Sequence, residues 1–289
     1  MNNRAALTTI TCQTLRELWL HVIYQCNLSC THCLFACAPG KEGPGELTFE
    51  ECKDLVLTAH AENVENIYIT GGEPMLWKPL KRFLDWYYSM DNIVPITILT
   101  NGTLIDEEMA EFLCRYASQG LNIRISLECY TQQTNDEFRG DGSYHKTIKG
   151  IRSLNNHGVR PWVAYVNKSG GGLDCFATKQ LENDFRARLG EEHGLEIAGL
   201  KVIAAYSKGR FSSRVNPMVT NEQVQEKKEQ VQCAFGVAVS KSGIYPCPIL
   251  VDVNEAKITN SLTDAICKPV ELTYSFCASC FATGSTCGQ

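Results

Sequence analysis

The sequence predicts an α/β fold, a partial (β/α)6 TIM barrel followed by a small cysteine-rich C-terminal extension. Three observations predict it: short apolar runs alternate with helical patterns, this alternation stops after six units, and cysteines and glycines dominate after about residue 216. Strands that alternate with helices form βαβ units and a parallel sheet. Six units are too few for a complete barrel of about eight units, so we expect a barrel that is open on one side.

The predicted elements follow from local patterns. Apolar, β-prone runs predict strands at residues 19–23, 67–70, 96–100, 123–127, 162–166 and 197–203. Thr48 and Glu51 have the spacing of a capping box and predict the start of the first helix. Helical patterns also cover residues 80–88, 106–117, 144–156 and 176–189, and a polar linking helix is expected at 222–232. We therefore divide the chain into a barrel domain, residues 1–215, and an extension, residues 216–289.

Composition excludes several classes of function. With 289 residues, 44% of them hydrophobic, the chain can bury one substantial core. A formal net charge of −5 and the lack of a Lys/Arg run argue against a nucleic-acid partner. No run is apolar enough for a signal peptide or a membrane span, so we expect a cytoplasmic protein with no membrane partner. In that reducing compartment the 15 cysteines indicate metal binding or catalysis rather than disulfides.

Three cysteines, Cys26, Cys30 and Cys33, follow the first predicted strand directly. Three thiolates bind three irons of a [4Fe-4S] cluster and leave the fourth iron open for a further ligand. A structural zinc ion would instead need about four protein ligands and would have to recruit Cys37 or His32. The spacing favours the iron-sulfur cluster.

This C-x-x-x-C-x-x-C motif resembles the signature of the radical S-adenosylmethionine (SAM) superfamily. Gly71-Gly72-Glu73-Pro74, after the second strand, is similar to the family motif whose backbone and carboxylate hold the amino group of SAM. The resemblance covers about residues 15–215 and implies further SAM contacts for residues at successive strand ends. These are Thr100, Asn101 and Ser126 near the ribose or carboxylate, Arg139 on the carboxylate, and His32 against the adenine.

The last cysteines of the chain form a second pattern. Cys233 is followed by Gly243 and Cys247, and then by Cys277-Ala-Ser-Cys280 and Cys287. This resembles the twitch extension of radical SAM enzymes, a shortened SPASM domain, although the interval from Gly243 to Cys247 is one residue shorter than usual. The resemblance implies one auxiliary [4Fe-4S] cluster with the ligands Cys233, Cys247, Cys277 and Cys280. A four-cysteine zinc site is the alternative, and with either metal we expect the tail to need metal to fold.

The resemblance implies an enzyme that reductively cleaves SAM and uses the resulting 5′-deoxyadenosyl radical to abstract a hydrogen atom. The expected substrate is a peptide or a small natural product, and the expected outcome is epimerisation or dehydrogenation. Cys129 and Cys175 are candidate hydrogen donors in the first case. A low-potential protein such as flavodoxin or ferredoxin is the expected electron donor. Because the first strand begins near residue 19, we expect no leader-binding domain before it, which weakens the case for a peptide.

Two other functions stay open at this stage. One is a radical SAM enzyme of cofactor biosynthesis, which would predict a nucleotide-like substrate. The other is a cysteine-rich metal-binding or electron-transfer protein without SAM chemistry, which would not require the motif at residues 71–74.

Overall fold

The computed structural model describes residues 7–167, 179–212, 216–284 and 287–288. The strands of these residues are β1 (Thr8–Ile10), β2 (Glu17–Ile23), β3 (Asn66–Gly71), β4 (Ile96–Thr100), β5 (Leu121–Ser126), β6 (Trp162–Asn167), β7 (Gly199–Ala204), β8 (Gly236–Ser240), β9 (Gly243–Tyr245) and β10 (Val270–Leu272). The helices are α1 (Phe49–Ala61), α2 (Leu80–Tyr87), α3 (Glu107–Cys114), α4 (Gln132–Arg139), α5 (Ser143–Asn156), α6 (Lys179–His193), α7 (Asn221–Lys227), α8 (Leu262–Ala265) and α9 (Ala278–Thr283).

The barrel wall is one sheet with the strand order β7-β6-β5-β4-β3-β2-β8-β9. Strands β2 to β7 are parallel and pair in chain order, so each predicted βα unit adds one strand at the same edge. All residues of β2 are buried, as expected for a strand that is covered on both faces. The predicted α/β partial barrel is confirmed, and the carboxyl ends of its parallel strands meet at one edge.

The predicted capping box of the first helix is confirmed. The hydroxyl of Thr48 accepts a hydrogen bond from the amide of Glu51 at 3.2 Å, and the carboxylate of Glu51 accepts one from the amide of Thr48 at 2.7 Å. These bonds satisfy two amides that the helix itself leaves without partners. Helix α1 then packs Cys52, Val56 and Ala59 into the core between helices and sheet.

Two helices differ from the prediction. Helix α4 was not predicted because its inward residues, Asn135, Asp136 and Arg139, are polar, so no apolar period marks it. The linking helix predicted at 222–232 is wrong in length, since α7 ends at Lys227. Few apolar residues follow on its inner face, and tertiary packing rather than propensity sustains most short helices.

The residues after 216 pack against the barrel. Strand β8 pairs in parallel with β2, β9 pairs with β8, and β10 pairs with β1 near the start of the chain. The stacked rings of Trp19 and Tyr68, with centroids 4.1 Å apart, belong to the same apolar cluster as Tyr245 and Phe281 of the tail. The tail and the barrel therefore share one apolar cluster. The division of the chain at residue 215 stays a prediction. No helix among the described residues is long and apolar enough to cross a membrane.

Candidate functional site

The cysteine loop, residues 24–37, follows β2 at the carboxyl edge of the sheet. Cys26, Cys30 and Cys33 all line one cavity there, which we call the first cavity. Most of the residues to which the sequence assigned SAM contacts line the same cavity: His32, Gly71, Gly72, Thr100, Asn101, Ser126 and Arg139. The fold therefore brings the three thiols and the strand-end residues together around one space.

Gly71 and Gly72 let the cysteine loop lie directly against the end of β3. A Cβ atom on Gly71 would lie 2.3 Å from the carbonyl oxygen of Ile23, and one on Gly72 would lie 2.2 Å from that of Gln25. Gly71 also has a φ of +148°, a region that favours glycine. The amide of Gly72 donates to the carbonyl of Ile23 at 2.6 Å. The double glycine is thus required for the backbone to approach the loop that carries the cysteines.

The carboxylate of Glu73 is turned into the protein and is fully buried. It accepts hydrogen bonds from the hydroxyl of Thr100 at 2.6 Å, the amide of Asn101 at 2.8 Å and the amide of Met75 at 3.1 Å. Burial raises its pKa, although these bonds act in the opposite direction. Neither Glu73 nor Pro74 is among the residues that line the first cavity. Glu73 ties the ends of β3 and β4 together, and its direct contact with SAM stays a prediction.

Asn101 connects the end of β4 to the cysteine loop. Its side-chain nitrogen, Nδ2, donates to Asn27 Oδ1 at 2.9 Å and lies 3.9 Å from Cys26 Sγ. Its own side-chain oxygen accepts from the amide of Thr103 at 2.9 Å, which fixes the orientation of the side chain. Cys26 is held beside a strand end by these contacts.

Arg139, at the end of α4, forms a buried ion pair on the wall of the first cavity. Its guanidinium donates to Glu128 Oε1 at 2.7 Å, and the same oxygen lies 3.1 Å from Nε2 of His32. Burial lowers the pKa of Arg139, but the Glu128 carboxylate together with Cys30 and Cys26 outweighs burial, and the net shift is upward. Nε of Arg139 and Nδ1 of His32 are buried without a hydrogen-bond partner among the described residues. These nitrogens fit a polar ligand such as SAM in the cavity.

The thiols of the cysteine loop differ in their electrostatics. Burial raises the pKa of Cys26 to about 11. Cys37, which also lines the first cavity, hydrogen bonds Cys33 and lowers the pKa of that thiol well below its usual range. Bound metal lowers thiol pKa values further, because the thiolate is the coordinating form. The donor set therefore fits a metal cluster with three thiolate ligands.

Residues after β7 clamp the cysteine loop from the opposite side. Arg210 donates to the carbonyl oxygen of Cys30 at 2.7 Å and to that of Cys37 at 2.6 Å. Gly209 packs so closely that its Cβ would lie 2.3 Å from the carbonyl oxygen of Cys33. The loop is therefore held by both ends of the open barrel.

A second cavity lies between β7 and the tail. All the cysteines predicted as auxiliary ligands line it, and so does a fifth: Cys233, Cys247, Cys277, Cys280 and Cys287. Its other walls are mostly apolar, with Val231, Leu272 and Phe281 among them. Burial raises the pKa of Cys247 to about 12 and shifts the other four thiols upward as well. Such a group of buried thiols is costly for a metal-free protein to ionise, and it fits a metal group that several thiolates share.

The described thiols are not gathered around one point. No three His, Cys, Asp or Glu side chains in the described part of the chain are close enough together to hold a single metal ion. A mononuclear zinc site needs about four ligands within about 2.3 Å of one ion. No preassembled single-ion site of that kind is present among the described residues.

The backbone around Cys287 is anchored inside the barrel. Arg124 donates to the carbonyl of Cys287 at 2.7 Å, and the side-chain oxygen of Gln232 accepts from the amide of Cys287 at 3.1 Å. Gln232 in turn contacts Glu17 on β2. The fifth thiol is therefore held in place by the first and fourth strands of the parallel barrel and by the residue before Cys233.

Neither candidate hydrogen donor, Cys129 or Cys175, is placed by the structure at the first cavity. Cys129 is half-buried, contacts Thr131 at 3.4 Å and is not among the residues that line the first cavity. Cys175 lies outside the described residues.

The sequence did not reveal Glu128, Arg210 or Tyr206, because each acts through contacts with residues far away in the chain. Only their position next to strand ends β5 and β7 could have drawn attention to them.

The family comparison agrees with this geometry. The sequence profile described as the radical SAM superfamily matches residues 20–168, about half of the chain. The matched region contains the cysteine loop, the double glycine and Arg139.

Two curated relatives each match somewhat more than half of the chain. The mycofactocin maturase MftC of Mycobacterium tuberculosis is 34% identical over 158 residues, which are 54% of this chain and 39% of MftC. The antilisterial bacteriocin subtilosin biosynthesis protein AlbA of Bacillus subtilis is 33% identical over 171 residues, 57% of this chain and 37% of AlbA. The chain thus spans well under half the length of these relatives.

The fold is also found in a solved structure. Streptococcus suis SuiB bound to S-adenosylmethionine superposes with a TM-score of 0.58 at 16% identity, over 86% of this chain and 63% of SuiB. SuiB has also been solved with its precursor peptide SuiA. At this identity the similarity shows the shared fold, which is the open barrel described above.

Proposed function

The chain belongs to the radical SAM superfamily, and on that premise we propose that it is an enzyme that reductively cleaves SAM and removes a hydrogen atom from a peptide or small natural product. The observation that carries the proposal is the first cavity, where three thiols share one space with Gly71, Gly72 and the buried Arg139. Members of the family use a [4Fe-4S] cluster and SAM. When bound, these supply the one-electron cleavage of SAM that generates the hydrogen-abstracting radical.

We assign the cluster to Cys26, Cys30 and Cys33. Asn101 and Arg210 hold the loop that carries them, through the contacts to Asn27 and to the carbonyls of Cys30 and Cys37. A loop fixed in this way would keep the three thiolates at set positions on the wall of the first cavity, where they would hold the cluster. Pre-organisation of this kind places the reacting groups in contact without a further entropic cost.

SAM is assigned to the first cavity, next to the three cysteines. Gly71 and Gly72 line the first cavity at the end of β3, and their backbone is assigned to the amino group of SAM. The unpartnered Nε of Arg139 is available for its carboxylate, and a guanidinium is geometrically suited to that contact. Thr100, Asn101, Ser126 and His32 line the remaining wall and are assigned to its ribose, carboxylate and adenine. A direct contact of the Glu73 carboxylate with the amino group of SAM, and a contact of Pro74 with SAM, stay part of this proposal.

An auxiliary [4Fe-4S] cluster is assigned to Cys233, Cys247, Cys277 and Cys280. Their common cavity supports the assignment, as does the mostly apolar lining that excludes water. Exclusion of water protects a cluster and lets nearby groups tune its potential. A zinc ion is the competing occupant, and metal analysis distinguishes the two.

The substrate class is proposed from the relatives. MftC is a mycofactocin maturase, AlbA is a bacteriocin biosynthesis protein, and SuiB has been solved with a bound precursor peptide. Epimerisation and dehydrogenation are the two proposed outcomes. Epimerisation needs a hydrogen donor, for which Cys129 and Cys175 are the candidates, whereas dehydrogenation needs an electron acceptor such as the auxiliary cluster. Mass spectrometry of product formed in deuterated water separates the two outcomes. Epimerisation adds one deuterium to the product, whereas dehydrogenation lowers the product mass by about two units.

The test uses protein reconstituted anaerobically with iron and sulfide and reduced with dithionite. Wild type should bind about eight irons and release 5′-deoxyadenosine from SAM, because two cubane clusters are present. The triple variant Cys26→Ala/Cys30→Ala/Cys33→Ala should keep about four irons and release no deoxyadenosine. The matched control replaces the four assigned auxiliary ligands, Cys233, Cys247, Cys277 and Cys280, by alanine. This variant should still release deoxyadenosine and should bind about half of the iron. Zinc in place of iron, or iron without SAM cleavage, would refute the proposal. A reducing, cytoplasmic setting with flavodoxin or ferredoxin as donor belongs to the same proposal.

A further inference from the structure

Tyr206 lies between the two cavities. It follows the end of β7, is almost completely buried, and contributes to the wall of both the first and the second cavity. Its backbone is fixed, because its carbonyl accepts a hydrogen bond from the amide of Lys208 at 2.8 Å. One side chain thus touches the space assigned to SAM and the space assigned to the auxiliary cluster.

The hydroxyl of Tyr206 is directed at sulfur. Its oxygen lies 3.4 Å from Cys280 Sγ. Once a cysteine is a metal-bound thiolate it can only accept a hydrogen bond, so the hydroxyl must be the donor. Three apolar neighbours, Val231, Leu272 and Phe281, surround the thiols of this cavity. A phenylalanine would fill such a space equally well, so the hydroxyl points to a polar role.

We propose that Tyr206 is a positioning residue that links the two sites: its hydroxyl donates a hydrogen bond to the thiolate of Cys280, a ligand of the auxiliary cluster, and the residue also forms part of the wall of the first cavity. The inference rests on the proposed auxiliary cluster and goes beyond it. A hydrogen bond to a cluster thiolate stabilises the reduced, more negative state and raises the reduction potential. Electron acceptance at the auxiliary site is thereby tuned by a residue that also borders the space assigned to SAM.

The experiment isolates the auxiliary site. In the Cys26→Ala/Cys30→Ala/Cys33→Ala background all bound iron reports on the second cavity, and its potential is measured by redox titration followed by electron paramagnetic resonance. Tyr206→Phe in this background should lower the ratio of reduced to oxidised cluster about tenfold at a fixed potential, a shift of about 59 mV for one electron. Tyr87→Phe is the matched control, because Tyr87 is also buried but its hydroxyl donates to the carbonyl of Val94 at 2.8 Å.

A second substitution keeps the test independent of folding defects. Difluorotyrosine at position 206 retains the ring and makes the hydroxyl a better donor, so it should raise the potential. On the ring side, Tyr206→Leu in the full chain should weaken SAM binding at least threefold in equilibrium dialysis, whereas Tyr206→Phe should not.

The outcomes separate the two proposals. Four irons with the same potential in all tyrosine variants would overturn the role of Tyr206 and leave the auxiliary cluster standing. No iron in the triple-alanine background would overturn both, because there would be no thiolate cluster for Tyr206 to tune. A lowered potential in Tyr206→Phe with an unchanged one in Tyr87→Phe supports the inference.

Discussion

Replacement of Gly72 by alanine should disrupt the first cluster site and leave the auxiliary site intact. The added Cβ would lie 2.2 Å from the carbonyl oxygen of Gln25 and 2.5 Å from that of Tyr24, whereas ordinary contacts begin near 3.4 Å. Both neighbours are backbone atoms, so no side-chain rotation relieves the clash. The cysteine loop must therefore move by more than 1 Å.

The energetic cost follows from the contacts that this movement breaks. The amide of Gly72 bonds the carbonyl of Ile23 at 2.6 Å, and the amide of Glu73 bonds that of Gln25 at 3.0 Å. Each such bond contributes about 1 kcal/mol, and overpacking costs about 1–3 kcal/mol more. We expect the free energy of unfolding to fall by about 3–5 kcal/mol. Because Cys26 follows Gln25 directly, iron at the first site should fall by more than half.

The assay is iron content and urea unfolding of anaerobic protein, with SAM-dependent deoxyadenosine release as the functional readout. Gly190→Ala is the matched control, because Gly190 lies within helix α6. Among the described residues outside that helix, its Cβ would meet only the carbonyl oxygen of Leu195, at 3.8 Å. Alanine there should stabilise the helix by up to about 1 kcal/mol. Full iron content and wild-type stability in Gly72→Ala would refute the argument that the cysteine loop depends on this close approach.

Three further predictions test other contacts. Glu128→Gln leaves the buried guanidinium of Arg139 without a carboxylate and should lower the free energy of unfolding by about 3–5 kcal/mol in urea titrations; a loss below about 1 kcal/mol would contradict the ion pair. Arg210→Ala removes two hydrogen bonds from the cysteine loop and should speed the loss of iron to a chelator about tenfold, while an unchanged rate would show that the clamp is dispensable. Burial, with a smaller effect of Cys267, raises the pKa of Cys12 to about 12, so the folded state keeps this proton after the unfolded chain has lost it. Its stabilising contribution is full below about pH 8.5 and should fall by about 1.4 kcal/mol per pH unit above it, and Cys12→Ala should reduce the measured slope by that amount in unfolding titrations at pH 8, 9 and 10.

Much of the barrel could be predicted because its information is local. Apolar runs of strand length and the pair Thr48 and Glu51 each act over a few residues, and the structure has β2 to β7 and α1 where they were expected. Helix α4 escaped because the residues that it buries are polar. Their partners lie outside the helix and supply the hydrogen bonds that an apolar pattern would not reveal.

Similar reasoning separates the predicted ligands from the residues that support them. The spacing of Cys26, Cys30 and Cys33 is a property of the chain, and so is the Gly71-Gly72 pair at a strand end. The contacts of Arg210 with the loop span more than 170 residues, and those of Arg124 with the chain end span 163 residues. No sequence pattern encodes such a pairing.

The sequence by itself determined the fold class, the family and the set of cysteines, because spacing along the chain dictates which ligands can share a loop and which faces can be buried. Only the tertiary structure decided that Glu73 turns inward and that Cys287 is a fifth thiol of the second cavity. It also decided that Tyr206 lies between the two sites. The physical reason is that close packing of distant strand ends sets which polar atoms find partners, and that outcome depends on the whole fold rather than on any local run of residues.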